Sequence, residues 1–139
     1  YVPVMNSLIN KYLEKMDFYI NFEFDENFNE TFNSRHRSTF SYNSFSQGEK
    51  IKINLAILFA WRDIAKMRNS SSTSLLIMDE IFDSSLDVYG TDEFMRTIGT
   101  DFQNTNIFII SHKTDSIIDK FQHVLTFQKK NNFSQLVEG

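Results

Sequence analysis

Cysteine is absent from the 139 residues, so neither a disulfide framework nor a cysteine-ligated zinc is available, as suits a reducing compartment. No stretch is long and apolar enough to span a bilayer as a helix, and no basic-then-apolar leader opens the chain. A cytoplasmic protein with no membrane partner is the expectation. Basic residues are in deficit: 14 Lys and Arg against 18 Asp and Glu leave a formal net charge of -4. The domain as a whole therefore gives no reason to expect nucleic-acid binding, and any such contact must come from local clusters. Glycine is scarce, at Gly48, Gly90, Gly99 and Gly139 only. None is followed by Lys and then Ser or Thr, so the phosphate-cradling loop G-x-x-x-x-G-K-[ST] is missing.

What is present belongs to a folded domain. Apolar residues make up 41% and aromatics 15%, with 15 Phe and only 23% charged residues, and the length suits one compact lobe. The chain begins at Tyr1 rather than Met, which suggests a piece of a longer polypeptide. Met5, Leu8, Ile9, Tyr12, Leu13 and Met16 recur at the spacing of an amphipathic helix. From Phe18 the period becomes two, predicting a half-buried strand through Phe24, a turn over Asp25 to Asn29, and a second strand around Glu30 to Tyr42. Ser46 to Arg68 is apolar on most sides from Ile51 onward and predicts a largely buried helix. The apolar run Leu75 to Met78 predicts a strand covered on both faces. A helix over 88 to about 103 and a second apolar run, Ile107 to Ile110, then imply a parallel pair joined by a right-handed crossover. Thr114 to Phe121 reads as a helix, and Val124 to Gln128 with Phe133 to Val137 as a hairpin turned by Lys130, Asn131 and Asn132.

Four short constellations carry chemistry. In Phe45-Ser46-Gln47-Gly48-Glu49-Lys50, Ser46 and Glu49 fit a capping box. The free amides and dipole of such a helix start also suit an anion, and Gly48 allows close approach, although the hexapeptide alone reads as a plain cap. Leu75 to Met78 ends in Asp79 and Glu80, where one acid could hold the shell of a divalent ion and the next polarise a water, or both could simply cap a turn. Asp87, after Ser84-Ser85-Leu86, reads on its own as an ordinary helix N-cap. Ile109-Ile110 ends in Ser111-His112-Lys113, whereas His36 and His123 read as surface residues. Because ligands of open parallel sheets bind beyond the carboxyl ends of strands, Asp79, Glu80 and His112 are expected to border one crevice.

In this order the four pieces resemble the signature motif, Walker B, D-loop and H-loop of the C-terminal lobe of ABC-type (P-loop NTPase) ATPase heads. The implied fold is α/β, with parallel strands, flanking helices and β-hairpins, and with the Walker A lobe missing. The Ser-x-Gly-Glu form of the signature is similar to the SbcC and SMC-like branch. Asn10-Lys11-Tyr12-Leu13 and Phe24-Asp25-Glu26-Asn27-Phe28 extend that similarity to the end of the ATPase subunit of a recombination endonuclease carried by tailed phages. The resemblance implies that residues 1–17 are the foot of a coiled-coil arm and 18–139 the ATPase lobe. It implies that Ser46, Gln47, Gly48 and Glu49 meet the γ-phosphate of ATP held by a second copy of the head. Asp79 would support Mg²⁺, Glu80 would orient the hydrolytic water, Asp87 would reach across the dimer, and His112 would steady the γ-phosphate. Gln47 stands where the family commonly has Gly and narrows the approach.

The partners so implied are the N-terminal Walker A lobe of the same protein, a second head, a metallophosphoesterase nuclease subunit and DNA, in the host cytoplasm if the protein is phage-encoded. The fragment alone would be an inactive part of an ATPase. Local candidates for DNA contact are Arg35, His36 and Arg37, with Lys129 and Lys130, all of which also read as solvated turns. Lys50, Lys52, Arg62, Lys66 and Arg68 are expected to line the open side of the signature helix, and Lys113 has no assigned role. Two other readings stand beside this one: a RecF- or SMC-type head that clamps DNA without a nuclease, and a stand-alone, non-enzymatic regulator of such an ATPase.

Overall fold

The structure, a computed structural model, describes residues 1–34, 37–68, 74–81, 86, 88–112 and 117–137, with backbone only at 37–40. The order is α1 (Val2–Lys15), β1 (Asn21–Phe24), β2 (Glu30–Ser34), β3 (Arg37–Phe40), α2 (Gln47–Arg68), β4 (Leu75–Asp79), α3 (Val88–Asp101), β5 (Asn106–Ile110), β6 (Thr126–Lys130) and β7 (Phe133–Val137). Short 3-10 turns sit at Tyr42–Ser44 and Ile118–Lys120. Three small sheets result: antiparallel β1-β2-β3, parallel β4-β5, and the antiparallel hairpin β6-β7.

α1 begins with Pro3 in its first turn, where the missing N–H costs no helical bond, and buries Met5, Ile9, Tyr12 and Leu13 along one stripe. That stripe packs on α2, with the Tyr12 and Phe59 rings 5.3 Å apart. Phe59, fully buried, also lies 4.8 Å from the Phe102 ring and 6.3 Å from Phe94, so it joins α1, α2 and α3. The Tyr12 hydroxyl donates to Asp63 at 2.7 Å; burial first, and that carboxylate second, push its pKa well above the usual tyrosine range.

Asn6 and Asn10 hold β1 against α1. Asn6 donates to the Phe24 carbonyl at 3.0 Å and accepts from its N–H at 2.9 Å, while Asn10 does the same for Phe22 at 2.7 and 2.8 Å. Four helical residues rise ~6 Å and two strand residues ~6.8 Å, so amides one turn apart can serve alternate residues of an extended strand. The side chains thus satisfy an edge strand that has no neighbour on that side. Phe22, Phe24, Phe32, Phe45 and Phe18 continue the core as a chain of tilted rings with centroids 4.7 to 5.8 Å apart.

The expected strand from Phe18 is ordered as a strand only from Asn21; Phe18 and Ile20 pack on the core ahead of it, with the Ile20 N–H donating back to the Phe18 carbonyl at 3.1 Å. Asp25 builds the following turn by accepting the Asn27 and Asn29 N–H groups, each at 2.8 Å. The single strand expected over Glu30 to Tyr42 is instead two antiparallel strands, β2 and β3, with a register shift between Phe32 and Ser34. Of the expected helix at Thr114 to Phe121, 114–116 lie outside the described residues and Ile118–Lys120 is a 3-10 turn. The final hairpin turns on Asn131 and Asn132, both with positive φ (49 and 64) as a type I′ turn requires, so β6 runs on through Lys130.

Two burial expectations are corrected. β4 and β5 are covered on one face only: Leu76, Met78, Ile107 and Ile109 pack on the core while Leu75, Ile77, Phe108 and Ile110 are each about half exposed. α2 is buried through Ile53, Leu55, Ala56, Phe59, Ala60 and Ile64 but presents Leu58 and Trp61 to solvent. Its basic residues do not all line an open side either, since Lys52 turns in to cap the Met16 carbonyl at 2.8 Å and Arg62 reaches Thr105 at 3.0 Å.

The end of α1 is tied to α3. Lys15 bridges to Asp101 at 2.5 Å, Arg96 reaches the Lys15 carbonyl at 3.4 Å, and the Tyr89 hydroxyl donates to Asp17 at 2.6 Å. Tyr89 first and Tyr19 second hold the Asp17 carboxyl below its ordinary 3.8, and the same bond pushes the Tyr89 hydroxyl up to about 12 from 10.0. The tie therefore contributes stability in full between about pH 4 and 10, is lost as pH falls through the lowered Asp17 value, and is lost as pH climbs toward 12. Asp17→Asn should flatten the acid limb of a stability-against-pH curve below 3.8 and leave its shape near neutrality unchanged. Phe59→Ala should cost ~3–5 kcal/mol in chemical denaturation, because three helices lose one shared ring.

Candidate functional site

The parallel pairing of β4 and β5 fixes the site. Register runs from Leu75 opposite Asn106 to Asp79 opposite Ile110, so the two carboxyl ends lie side by side. The ladder continues one step further, with the Glu80 N–H donating to the Ile110 carbonyl at 2.9 Å. Glu80 itself takes φ 55, a left-handed conformation that costs a non-glycine residue ~1–2 kcal/mol. Its carboxylate lies 3.4 Å from the Nε2 of His112, two residues beyond the end of β5. Both side chains are largely exposed, at 63% and 82%, so the pair adds little to stability. Its significance is positional: an acid and an imidazole from the ends of adjacent parallel strands meet at an open edge, where substrate and water can reach them.

Asp79 is also exposed at this edge. Among the described residues no three His, Asp or Glu side chains gather into a metal cage. The donor chemistry is nonetheless compatible with Mg²⁺, which takes one or two carboxylates and fills its shell with water and phosphate oxygens.

The start of α2 forms the capping box expected of it. The Ser46 N–H donates to Glu49 Oε2 at 2.7 Å and the Glu49 N–H donates to Ser46 Oγ at 3.3 Å. Phe45, buried against Phe18 and Phe32, anchors this turn from below. Ser46 and Gln47 are exposed, with Gly48 and Glu49 half-buried behind them. No hydrogen bond or ion pair among the described residues joins the Ser46 turn to Glu80 or His112. A shallow hollow of about 220 Å³ lined by Ile51, Asn54, Leu55, Leu58 and Ile81 separates the second turn of α2 from the residue that follows Glu80.

Asp87 and Lys113 lie outside the described residues, as do Arg35, His36 and the side chain of Arg37. Lys129 and Lys130 stand exposed on β6. The strained backbone of Glu80 has no signal in the sequence, since glutamate is a poor residue for positive φ and only the surrounding ladder imposes it.

No family model matches the chain. It is 46% identical over 137 residues to exonuclease subunit 2 of Enterobacteria phage T4, covering 99% of this chain and 24% of that protein. Its identity to exonuclease subunit 2 of Escherichia phage RB69 is 48% over 113 residues, covering 81% of this chain and 20% of that protein. Among solved structures, the SMC head domain from Thermotoga maritima superposes with a TM-score of 0.68 at 22% identity, over 96% of this chain and 46% of that one. An SMC ATPase studied for ATP-driven dimerization and DNA-stimulated activation superposes with a TM-score of 0.76 at 14% identity, over 98% and 83%. The shared fold is that of an ATPase head, and the chain spans only 24% and 20% of the length of these two phage relatives. By sequence the chain is a homologue of the phage exonuclease subunit 2 proteins, and its fold is that of the C-terminal lobe of an ABC-type ATPase head.

Proposed function

We propose that this lobe is the half of an ATP-hydrolysing subunit that supplies the catalytic acid, and that ATP-driven closure of two heads governs DNA end processing by a metallophosphoesterase partner in the host cytoplasm. The meeting of Glu80 and His112 at the ends of β4 and β5 is the observation that carries this reading. Glu80 acts as the base that orients and polarises the attacking water, its carboxylate steered by the Ile110 ladder bond and the His112 ring. His112 also steadies the γ-phosphate. Asp79 would hold Mg²⁺, which would supply charge neutralisation at the phosphates. The exposed Ser46 turn, with Gln47, Gly48 and Glu49, offers helix-terminal amides to the nucleotide of the second head, and Asp87 reaches across the same interface.

The names of the phage relatives support a nuclease complex, and the SMC structures support paired heads. The open face of β4 and β5 supports a division of the head into two lobes. Leu75, Ile77, Phe108 and Ile110 form a contiguous apolar surface on a sheet of only two strands, which the N-terminal Walker A lobe would cover and extend. The chain without that lobe is then inactive, and residues 1–17 serve as the foot of the coiled-coil arm.

In the full-length subunit, Glu80→Gln should lower ATP turnover by roughly 10²–10⁴-fold while ATP-bound dimers persist in size-exclusion chromatography. Unchanged turnover would refute Glu80 as the base. Mixing this chain with the N-terminal lobe should restore Mg²⁺-dependent hydrolysis. Ile77→Glu should raise the solubility of the isolated chain and prevent that restoration; a variant that still reconstitutes places the second lobe elsewhere.

A further inference from the structure

At the opposite end of the parallel pair, a polar cleft of about 440 Å³ is lined by Arg62, Lys66, Ser74, Thr100, Asp101, Gln103, Asn104 and Thr105. Ser74 immediately precedes β4 and Thr105 immediately precedes β5, so the cleft lies at the amino ends of the strands whose carboxyl ends carry Glu80 and His112. Five residues of strand separate the two places by roughly 16 Å. A nucleotide at one end does not account for a cationic cleft at the other.

The wall of the cleft is built around Phe102. Arg62 and Lys66, one helical turn apart on α2, both stand over its buried ring, with the guanidinium 5.1 Å and the ammonium 5.7 Å from the centroid. Like charges at this spacing repel each other on an isolated helix, and here the ring's negative face and the Thr105 hydroxyl hold them together. The carboxylate of the cleft, Asp101, is engaged by Lys15 through both oxygens at 2.5 and 2.6 Å. The exposed side-chain amides of Gln103 and Asn104 and the hydroxyl of Ser74 complete a rim of hydrogen-bonding groups. Two fixed cations facing neutral donors, with the local acid already paired, match a phosphate group: guanidinium and ammonium supply charge, and the amides supply directed N–H bonds.

We propose that the Arg62–Lys66 cleft binds a phosphate group, distinct from the phosphates of ATP at the Glu80 edge and independent of the function assigned to that edge. The group is either a diester of a nucleic-acid backbone or a free phosphate compound, since both present the same oxygens. The overall charge of -4 does not oppose this, because phosphate contacts depend on clustered cations and these two are clustered by Phe102.

The test compares the full-length protein with its Lys66→Gln and Lys66→Gln/Asn104→Ala variants, both of which alter exposed side chains and leave Arg62 and Phe102 in place. Thermal unfolding is followed against pyrophosphate concentration, with chloride at matched ionic strength as control, and any nucleotide-site contribution is common to all three proteins. Pyrophosphate should raise the melting temperature of the parent protein more than chloride does, and the increment should shrink severalfold in both variants. Binding of a labelled oligonucleotide across a salt series then identifies the source. A log–log slope reduced by about 1 in Lys66→Gln assigns a backbone phosphate, whereas an unchanged slope beside a lost pyrophosphate effect assigns a free phosphate compound. An identical pyrophosphate response in all three proteins overturns the proposal.

Discussion

The parallel register of β4 and β5 is the constraint on which the functional geometry rests. Two five-residue strands, paired residue for residue, bring Glu80 and His112 to one edge although 32 positions of sequence separate them. The crossover helix α3 makes this possible, because a parallel neighbour needs a long connection and α3 supplies it while packing Phe94 and Ile98 on the core. The last ladder bond, from Glu80 to Ile110, holds a non-glycine residue at positive φ. Strain of this kind persists only where neighbouring structure over-determines it, and it sits at the acid proposed above as the base.

Around that pair the molecule is a layered packing with one side unfinished. α2 is its centre, gripped by α1 on one flank and by α3 and the inner face of the strands on the others, with Phe59 common to the three helices. The outer face of β4 and β5 and both faces of the β6-β7 hairpin remain exposed. A two-stranded hairpin and a two-stranded parallel sheet are each too small to be stable alone. Their apolar surfaces remain open to solvent.

The polar contacts are concentrated where elements must be oriented. Asn6 and Asn10 substitute for a missing strand beside β1, Lys52 and Arg96 cap the carbonyls at the end of α1, and Tyr89 fixes Asp17 just beyond it. The end of α1 is thereby bound both to the helix that opens with the Ser46 turn and to the helix that follows β4. Charges placed at helix ends and turns set direction here, while buried rings supply most of the cohesion.

Local sequence alone determined the helices, the Ser46–Glu49 cap and the Asn131–Asn132 turn, because each depends on residues within four positions of one another. The two apolar runs on either side of a helix likewise determined the parallel pair, and the order of the four motifs pointed to the phage relatives. Only the tertiary structure decided that Glu30 to Phe40 holds two antiparallel strands, since neither glycine nor proline occurs in that stretch to divide it. It alone showed that one face of β4 is open, because a run of apolar residues looks the same whether its cover lies in this chain or outside it. The inward turn of Lys52 and Arg62 was equally hidden, for a cation's partner lies dozens of positions away and is chosen by the packing of α2 on its neighbours.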